Sequence, residues 1–284
     1  MYTNTVTNVA WGYGGQSLRL TADAAGTVWF CNPDWAGQKS FNRIDGYTGG
    51  ITQFGPTISQ NGATQFAPTV LAVTPAGDVL YGGTSDNRVF KMVIATEQIT
   101  YLATGTTFSD GTGRSLTGIC LDRQGNIFLI DKFAATAAGV VKRIDASTGA
   151  VTNIAQNAWN WAGSNMRGIA ANANGRLFIA FWNGNALRSF DPASTESPTS
   201  HICSVCSGGG WSEALDVAVD GANNVYVAAN LNNGIFKIDG QTGAVSAFGT
   251  TGSPAFSNPY AVAANSNGVV WALNYGHNYI QKIT

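Results

Sequence analysis

The feature that most restricts what this chain can fold into is a short unit that recurs six times along its 284 residues. Each copy reads as an apolar strand, a polar anchor, a turn rich in Gly or Asn, and a second apolar strand. The clearest copy runs GICLDRQGNIFLID over 118–131 and continues as VVKRIDASTGAVTNIA over 140–155. The others begin LRLTADAAGTVWFCN (18–32), VLAVTPAGDVLYGG (70–83), GIAANANGRLFIAF (168–181), DVAVDGANNVYVAAN (216–230) and AVAANSNGVVWALN (261–274). The anchors fall at Asp23, Thr74, Asp122, Asn172, Asp220 and Asn265, with gaps of 51, 48, 50, 48 and 45 residues. Self-similarity at that period is the signature of propeller blades.

Each unit fits a four-stranded antiparallel meander, with strands A to D numbered outward from the axis. The A-to-B turn carries Asp or Asn and then Gly, the chemistry of a tight hairpin. The C-to-D turn repeats as Ile-Asp-x-x-Thr-Gly at 44–49, 144–149 and 238–243. There Asp can accept a local backbone bond and Gly supplies a positive φ. The last unit stops after its third strand, at Ile283 and Thr284. Its missing fourth strand stands at the other terminus, where Asn4–Ala10 resembles the outer strand Gly149–Ala155. The expectation is an all-β, six-bladed β-propeller of four-stranded antiparallel blades, a single domain over residues 1–284. Residues 1–10 would form the outer strand of the C-terminal blade, leaving no free edge in the ring.

Composition agrees and excludes some partners. Charged residues make up 11% of the chain, against about 25% in an average soluble protein. Gly, Asn and Thr take their place, favouring turns and strands over helix. The net charge of −1 offers no basic surplus for a phosphate backbone, so nucleic acid is not an expected partner. No apolar run approaches the length of a membrane helix, so no membrane is expected either. Residues 1–10 lack the basic start and apolar stretch of a secretory signal.

At this level the residues resemble a family. Asn258-Pro259-Tyr260-Ala261-Val262-Ala263 and Asn224-Val225-Tyr226-Val227-Ala228 look like the NHL-type propeller repeat and the streptogramin-lyase-like propellers related to it. The resemblance spans nearly the whole chain and implies a fold. Such propellers include enzymes, protein-binding modules and RNA-binding modules, so no activity follows from it.

In a meander of this kind the B-to-C loops and D-to-A connections crowd one face of the disc, around the channel mouth, where loops vary without disturbing the core. The ends of the B strands and the following loops place Asn32, Trp35, Asp131, Lys132, Trp182, Asn230 and Asn274 there. Phe181, Tyr275 and His277 share that region. The starts of the A strands add Arg19, Thr69, Thr117, Arg167, Asp216 and Tyr260. The candidate ligand-binding set is Asn32, Trp35, Asp131, Lys132, Arg167, Trp182, Asp216, Asn230, Tyr260 and Asn274. Aromatic faces with amides and carboxylates suit a glycan or another small polar ligand.

Structural readings stand beside that one. Asn87, Asn185, Asn233 and Asn278 suit B-to-C turns, because Asn tolerates the left-handed region. Aromatics in the D-to-A connections (Tyr13, Phe66, Phe108, Trp161, Trp211 and Phe256) recur once per blade, as packing residues would. Arg167 and Asp216 begin adjacent blades and can pair with each other instead of facing a ligand.

Catalytic signatures are thin. By the resemblance, a streptogramin lyase would use a histidine base beside a metal held by acidic and histidine side chains. Only His201, His277, Glu97, Glu196 and Glu213 are available, and only Glu213 and His277 approach the mouth. A zinc-dependent amidating lyase would need more histidines. A lactonase-like hydrolase would hold calcium through Asn32, Asp131, Asn230 and Asn274, with no inward Glu. His201 would start an outer strand, and an extended Cys203–Cys206 segment would point its cysteines to opposite faces, as inert or disulfide-linked residues. No cofactor is called for. The expectation is a binding or structural propeller whose protein, glycan or small-ligand partner sits on the loop-rich face, within an oligomer or larger assembly. Low charge with abundant Asn, Gly and Thr suits a virion, appendage or extracellular component. The alternative is a metal-dependent lyase or lactonase-like hydrolase acting at the same mouth.

Overall fold

The computed structural model describes residues 6–11, 19–31, 39–46, 48–57, 66, 68–103, 114–133, 139–154, 165–182, 186–194, 198–201, 203–205, 211–248, 256–277 and 279–284. They form six four-stranded antiparallel sheets arranged as propeller blades. The innermost strands are Leu20–Ala22, Pro68–Val73, Arg114–Leu121, Met166–Ala171, Ala214–Val219 and Pro259–Ala264, strand A of blades 1 to 6. Their B partners are Val28–Cys31, Val79–Thr84, Ile127–Phe133, Leu177–Phe181, Val225–Ala229 and Val270–Asn274.

Six apolar clusters among the described residues are each shared by two neighbouring blades. The period-two side-chain pattern of a strand explains how one element serves two of them. In strand B of blade 3, Ile127 and Leu129 pack against blade 2, while Phe128 and Ile130 pack against blade 4. Both faces of each blade are thus buried, and these strands read as continuous apolar runs. Phe66, Trp211 and Phe256 join this packing, as their recurrence in the D-to-A connections implied. Tyr13, Phe108 and Trp161 lie outside the described residues.

The anchors work through local hydrogen bonds. Asp122 Oδ1 accepts the backbone N–H groups of Gln124 and Asn126, and Asp220 Oδ1 accepts those of Ala222 and Asn224. Asn172 and Asn265 repeat the pattern with amide oxygens, and Thr74 Oγ1 accepts from Val79 N–H. In blade 5 the positive φ of this turn belongs to Asn223 (66°), where blade 3 uses Gly125 (80°). The C-to-D turns follow suit, with Asp45, Asp145 and Asp239 accepting from the N–H of Thr48, Thr148 and Thr242.

The ring closes through its chain ends. Val6–Trp11 is the fourth strand of blade 6 and pairs antiparallel with Tyr279–Ile283, from Val6 opposite Ile283 to Trp11 opposite Tyr279. Lys282 Nζ also donates to Gly46 O of blade 1 at 3.0 Å.

Two local expectations change. His201 ends the outer strand Thr199–His201 of blade 4 instead of starting it. Cys203 follows that strand outside any β element, fully buried and disulfide-bonded, so the extended geometry assumed for it does not hold. Ser204 and Val205, directly after Cys203, form a turn. Cys206 lies outside the described residues.

Candidate functional site at the channel mouth

Where strand A enters the sheet at the mouth, its register against strand B shifts by one residue in blades 2 to 6. An extra residue on one strand bends it and re-aims a side chain. The residues set apart in this way include Thr69, Thr117, Arg167 and Tyr260. Two of them serve the scaffold: Thr117 Oγ1 donates to Met166 O of the next blade at 3.0 Å, and Thr69 Oγ1 to Leu116 O at 3.4 Å. Arg167 and Tyr260 turn toward the mouth cluster.

Below them runs a central channel of about 270 Å³, walled by small and apolar strand-A residues such as Ala72, Ile119, Ala170, Ala218 and Ala263. Its mouth end carries Arg19 and Asp216. Arg19 Nη1 lies 3.8 Å from Asp216 Oδ1 and donates to Leu215 O at 3.4 Å. Asp216 Oδ2 accepts Val262 N–H of blade 6 at 3.1 Å. Burial pushes the Asp216 carboxyl above its ordinary range, a shift that the Arg19 charge and two backbone N–H groups oppose. Gly168 makes room for this carboxylate: a Cβ there would stand 2.4 Å from Asp216 Oδ1. The sequence left Arg167 and Asp216 able to pair. The structure instead joins Asp216 to Arg19, because the register shift in blade 4 leaves Gly168, not Arg167, against Asp216.

Arg167 has other company. Its guanidinium stacks over the Trp182 ring, 4.6 Å from the centroid, and its Nη1 donates to the Tyr260 hydroxyl at a long 3.4 Å. Its Nε is buried with no hydrogen-bond partner among the described residues. Burial holds the guanidinium below the usual arginine range, the nearby Arg19 charge acts the same way, and the Tyr260 and Glu213 groups oppose it. The Trp182 main chain is held by its backbone N–H, which donates to Asn165 O at 2.9 Å. Tyr260 is flanked by Arg19, 5.6 Å from its ring centroid, and by the Tyr275 ring at 6.1 Å. Lys132 completes the group. Burial first, then the charge of Arg167, holds its ammonium below the ordinary lysine range.

Three further candidates make contacts within the scaffold. Asp131 is fully buried, its Oδ2 2.8 Å from Lys142 Nζ. Asn274 donates to Gln281 Oε1 and accepts Ser257 N–H, both at 2.8 Å. Asn230 Oδ1 accepts from Asn258 Nδ2 at 3.4 Å. Asn32 and Trp35 lie outside the described residues. Arg19, noted at the start of a strand A but left out of the candidate binding set, proves central. Its position four residues before the anchor Asp23, matching Asp216 before Asp220, was the available signal.

Among the described residues, no three His, Cys, Asp or Glu side chains gather closely enough to hold a metal ion. His277 stacks on Tyr279 with ring centroids 5.4 Å apart, and Glu213 takes a positive φ of 53° at the entry to blade 5. The B-to-C turn residues Asn87 and Asn233 also take positive φ, of 60° and 50°. Asn185 and Asn278 lie outside the described residues. No described helix is long and apolar enough to cross a membrane.

Solved structures of similar shape include β-propellers of the streptogramin-lyase-like and gluconolactonase types. A protein of unknown function from Bacteroides thetaiotaomicron matches with a TM-score of 0.75 at 16% identity, over 99% of this chain and 76% of its own. Catalytically inactive virginiamycin B lyase from Staphylococcus aureus, solved with quinupristin, gives 0.63 at 15% identity, over 95% and 81%. A putative gluconolactonase gives 0.67 at 11% identity, over 99% and 91%. Likeness at these identities shows the fold alone. No protein-family model and no curated protein matches the sequence.

Proposed function

We propose that this chain is a binding propeller whose partner, a small polar ligand or a glycan, docks on the loop-rich mouth of the channel. The half-buried cluster of Arg167, Trp182, Tyr260 and Lys132 supports this reading most. Polar groups held in place yet left short of hydrogen bonds are arranged for a partner from outside, because an unpaired buried donor is costly. A glycan array followed by calorimetry tests it: Arg167→Ala and Tyr260→Ala weaken any ligand found while leaving the fold intact. Unaltered affinity in both variants moves the site elsewhere.

A metal-dependent lyase or lactonase-like hydrolase is the second reading, favoured by the names of virginiamycin B lyase and gluconolactonase among proteins of like shape. Elemental analysis of the purified protein separates the two. A stoichiometric divalent ion favours the enzyme and directs assays to lactone hydrolysis and elimination. A place in a virion, appendage or extracellular assembly agrees with the low charge, and a discrete oligomer by solution mass is its first test.

A further inference from the structure

We infer that the ligand at the mouth carries an oxyanion, a carboxylate or a phosphate, and that Arg167 and Lys132 receive it. This rests on the binding reading above and narrows it to a charge class. Three observations support it together.

The first is a surplus of positive charge. Arg19 and Arg167 both reach Tyr260, one 5.6 Å from its ring centroid and the other 3.4 Å from its hydroxyl, and Lys132 stands near the mouth end of strand B of blade 3, where the Arg167 charge adds to burial in holding its ammonium down. The nearby carboxylates are Asp216, committed to Arg19, and Glu213, which favours the charged form of Arg167. Lys132 forms no ion pair among the described residues. Two cations drawn together against their repulsion, and partly desolvated, call for a counter-charge.

The second is the state of the Arg167 guanidinium. Among the described residues only one of its five N–H donors reaches an acceptor, at 3.4 Å, and Nε is buried without any. A planar fork of this kind matches the paired oxygens of a carboxylate or phosphate.

The third is how the aromatic rings are used. A neutral sugar would stack on the open face of an aromatic ring. Here Arg167 lies over Trp182 and Arg19 over Tyr260, so both rings position guanidinium groups. The cluster is built around cations, with the aromatics as their support.

The test titrates sodium glucuronate, glucose 6-phosphate and glucose into ¹⁵N-labelled protein at low salt. It follows the Trp182 indole and the Arg167 Nε–H resonances, identified by their loss in Trp182→Phe and Arg167→Gln. Either acidic sugar should shift both resonances saturably, and glucose should not. Arg167→Gln and Lys132→Gln should each weaken binding by about tenfold or more, the scale of a lost charge-assisted hydrogen bond. Arg43→Gln, an exposed change stacked on Trp29 away from the mouth, should bind as wild type does. Preference between glucuronate and glucose 6-phosphate assigns carboxylate or phosphate. If glucose binds as well as the acids and Arg167→Gln has no effect, the oxyanion assignment falls while binding at the mouth stands. If none of the three moves either resonance, both fall. Melting curves establish folding of each variant, and titration of the wild-type protein decides the matter should Arg167→Gln fail to fold.

Discussion

Lys142 Nζ sits 2.8 Å from Asp131 Oδ2 in the interior of blade 3, joining strand B to strand C with both side chains almost wholly buried. Lys142 stands opposite Leu129, two residues along from Asp131, so the pair is a diagonal cross-strand contact. It commits the Asp131 carboxylate, which the end of a B strand had pointed to the mouth, to a contact within the blade. Breaking such a pair from one side leaves a buried charge without its counter-ion. Lys142→Met should therefore lower stability by about 3–5 kcal/mol, whereas Asp131→Leu combined with Lys142→Met should recover most of the loss. Urea denaturation of the two variants checks this; a Lys142→Met protein as stable as wild type contradicts it.

The Arg19–Asp216 contact gives a pH-dependent counterpart. Burial raises the folded pKa of Asp216 above its unfolded value, and Arg19 opposes that rise. A carboxyl with a raised folded pKa is stabilised by protonation, so its penalty grows as pH climbs from the unfolded value through the folded one. Arg19→Met removes the opposing charge and should destabilise the protein most at neutral pH. The deficit in melting temperature should shrink on acidification, as the carboxyl moves toward its protonated form. A deficit independent of pH means that Arg19 acts through packing alone.

Ring closure depends on a strand that arrives from the far end of the chain. Deleting residues 1–11 strips the outer strand from blade 6 and exposes the edge of Tyr279–Ile283. The expected result is a lower melting temperature and a greater tendency to associate, read by calorimetry and light scattering. An unchanged melting temperature would show that blade 6 does not need its fourth strand.

The lysine at the mouth makes ligand affinity sensitive to alkali. Since burial and the Arg167 charge depress its pKa, Lys132 loses its proton at a lower pH than an ordinary lysine. Affinity for glucuronate should then decline on the alkaline side earlier than a free lysine would allow. Lys132→Gln should remove that decline along with part of the affinity. Calorimetric titrations across the alkaline range read both effects, and a decline that persists in the variant assigns it to another group.

The sequence by itself determined the blades, their number and their closure. Those features rest on local chemistry repeated in register: an Asp or Asn oxygen such as that of Asp122 capping its own turn, a Gly or Asn at positive φ, and strands apolar on both faces. Each signal acts within a few residues and is legible without knowing what lies across the molecule. The mouth was legible as a region, because the meander fixes which loops share a face.

What only the tertiary structure decided is which of those mouth residues meet. Asp131 and Lys132 are adjacent in sequence, yet the pleat sends one to Lys142 and leaves the other with Arg167. Asp216 pairs with Arg19, not with Arg167, the partner the sequence had left open, because one extra residue at the entry to strand A rotates a side chain out of line. A single-residue shift leaves the repeat pattern almost untouched and re-aims the side chains at the entry to strand A. Partners so far apart in the chain are brought together by ring closure, which the local sequence encodes only collectively.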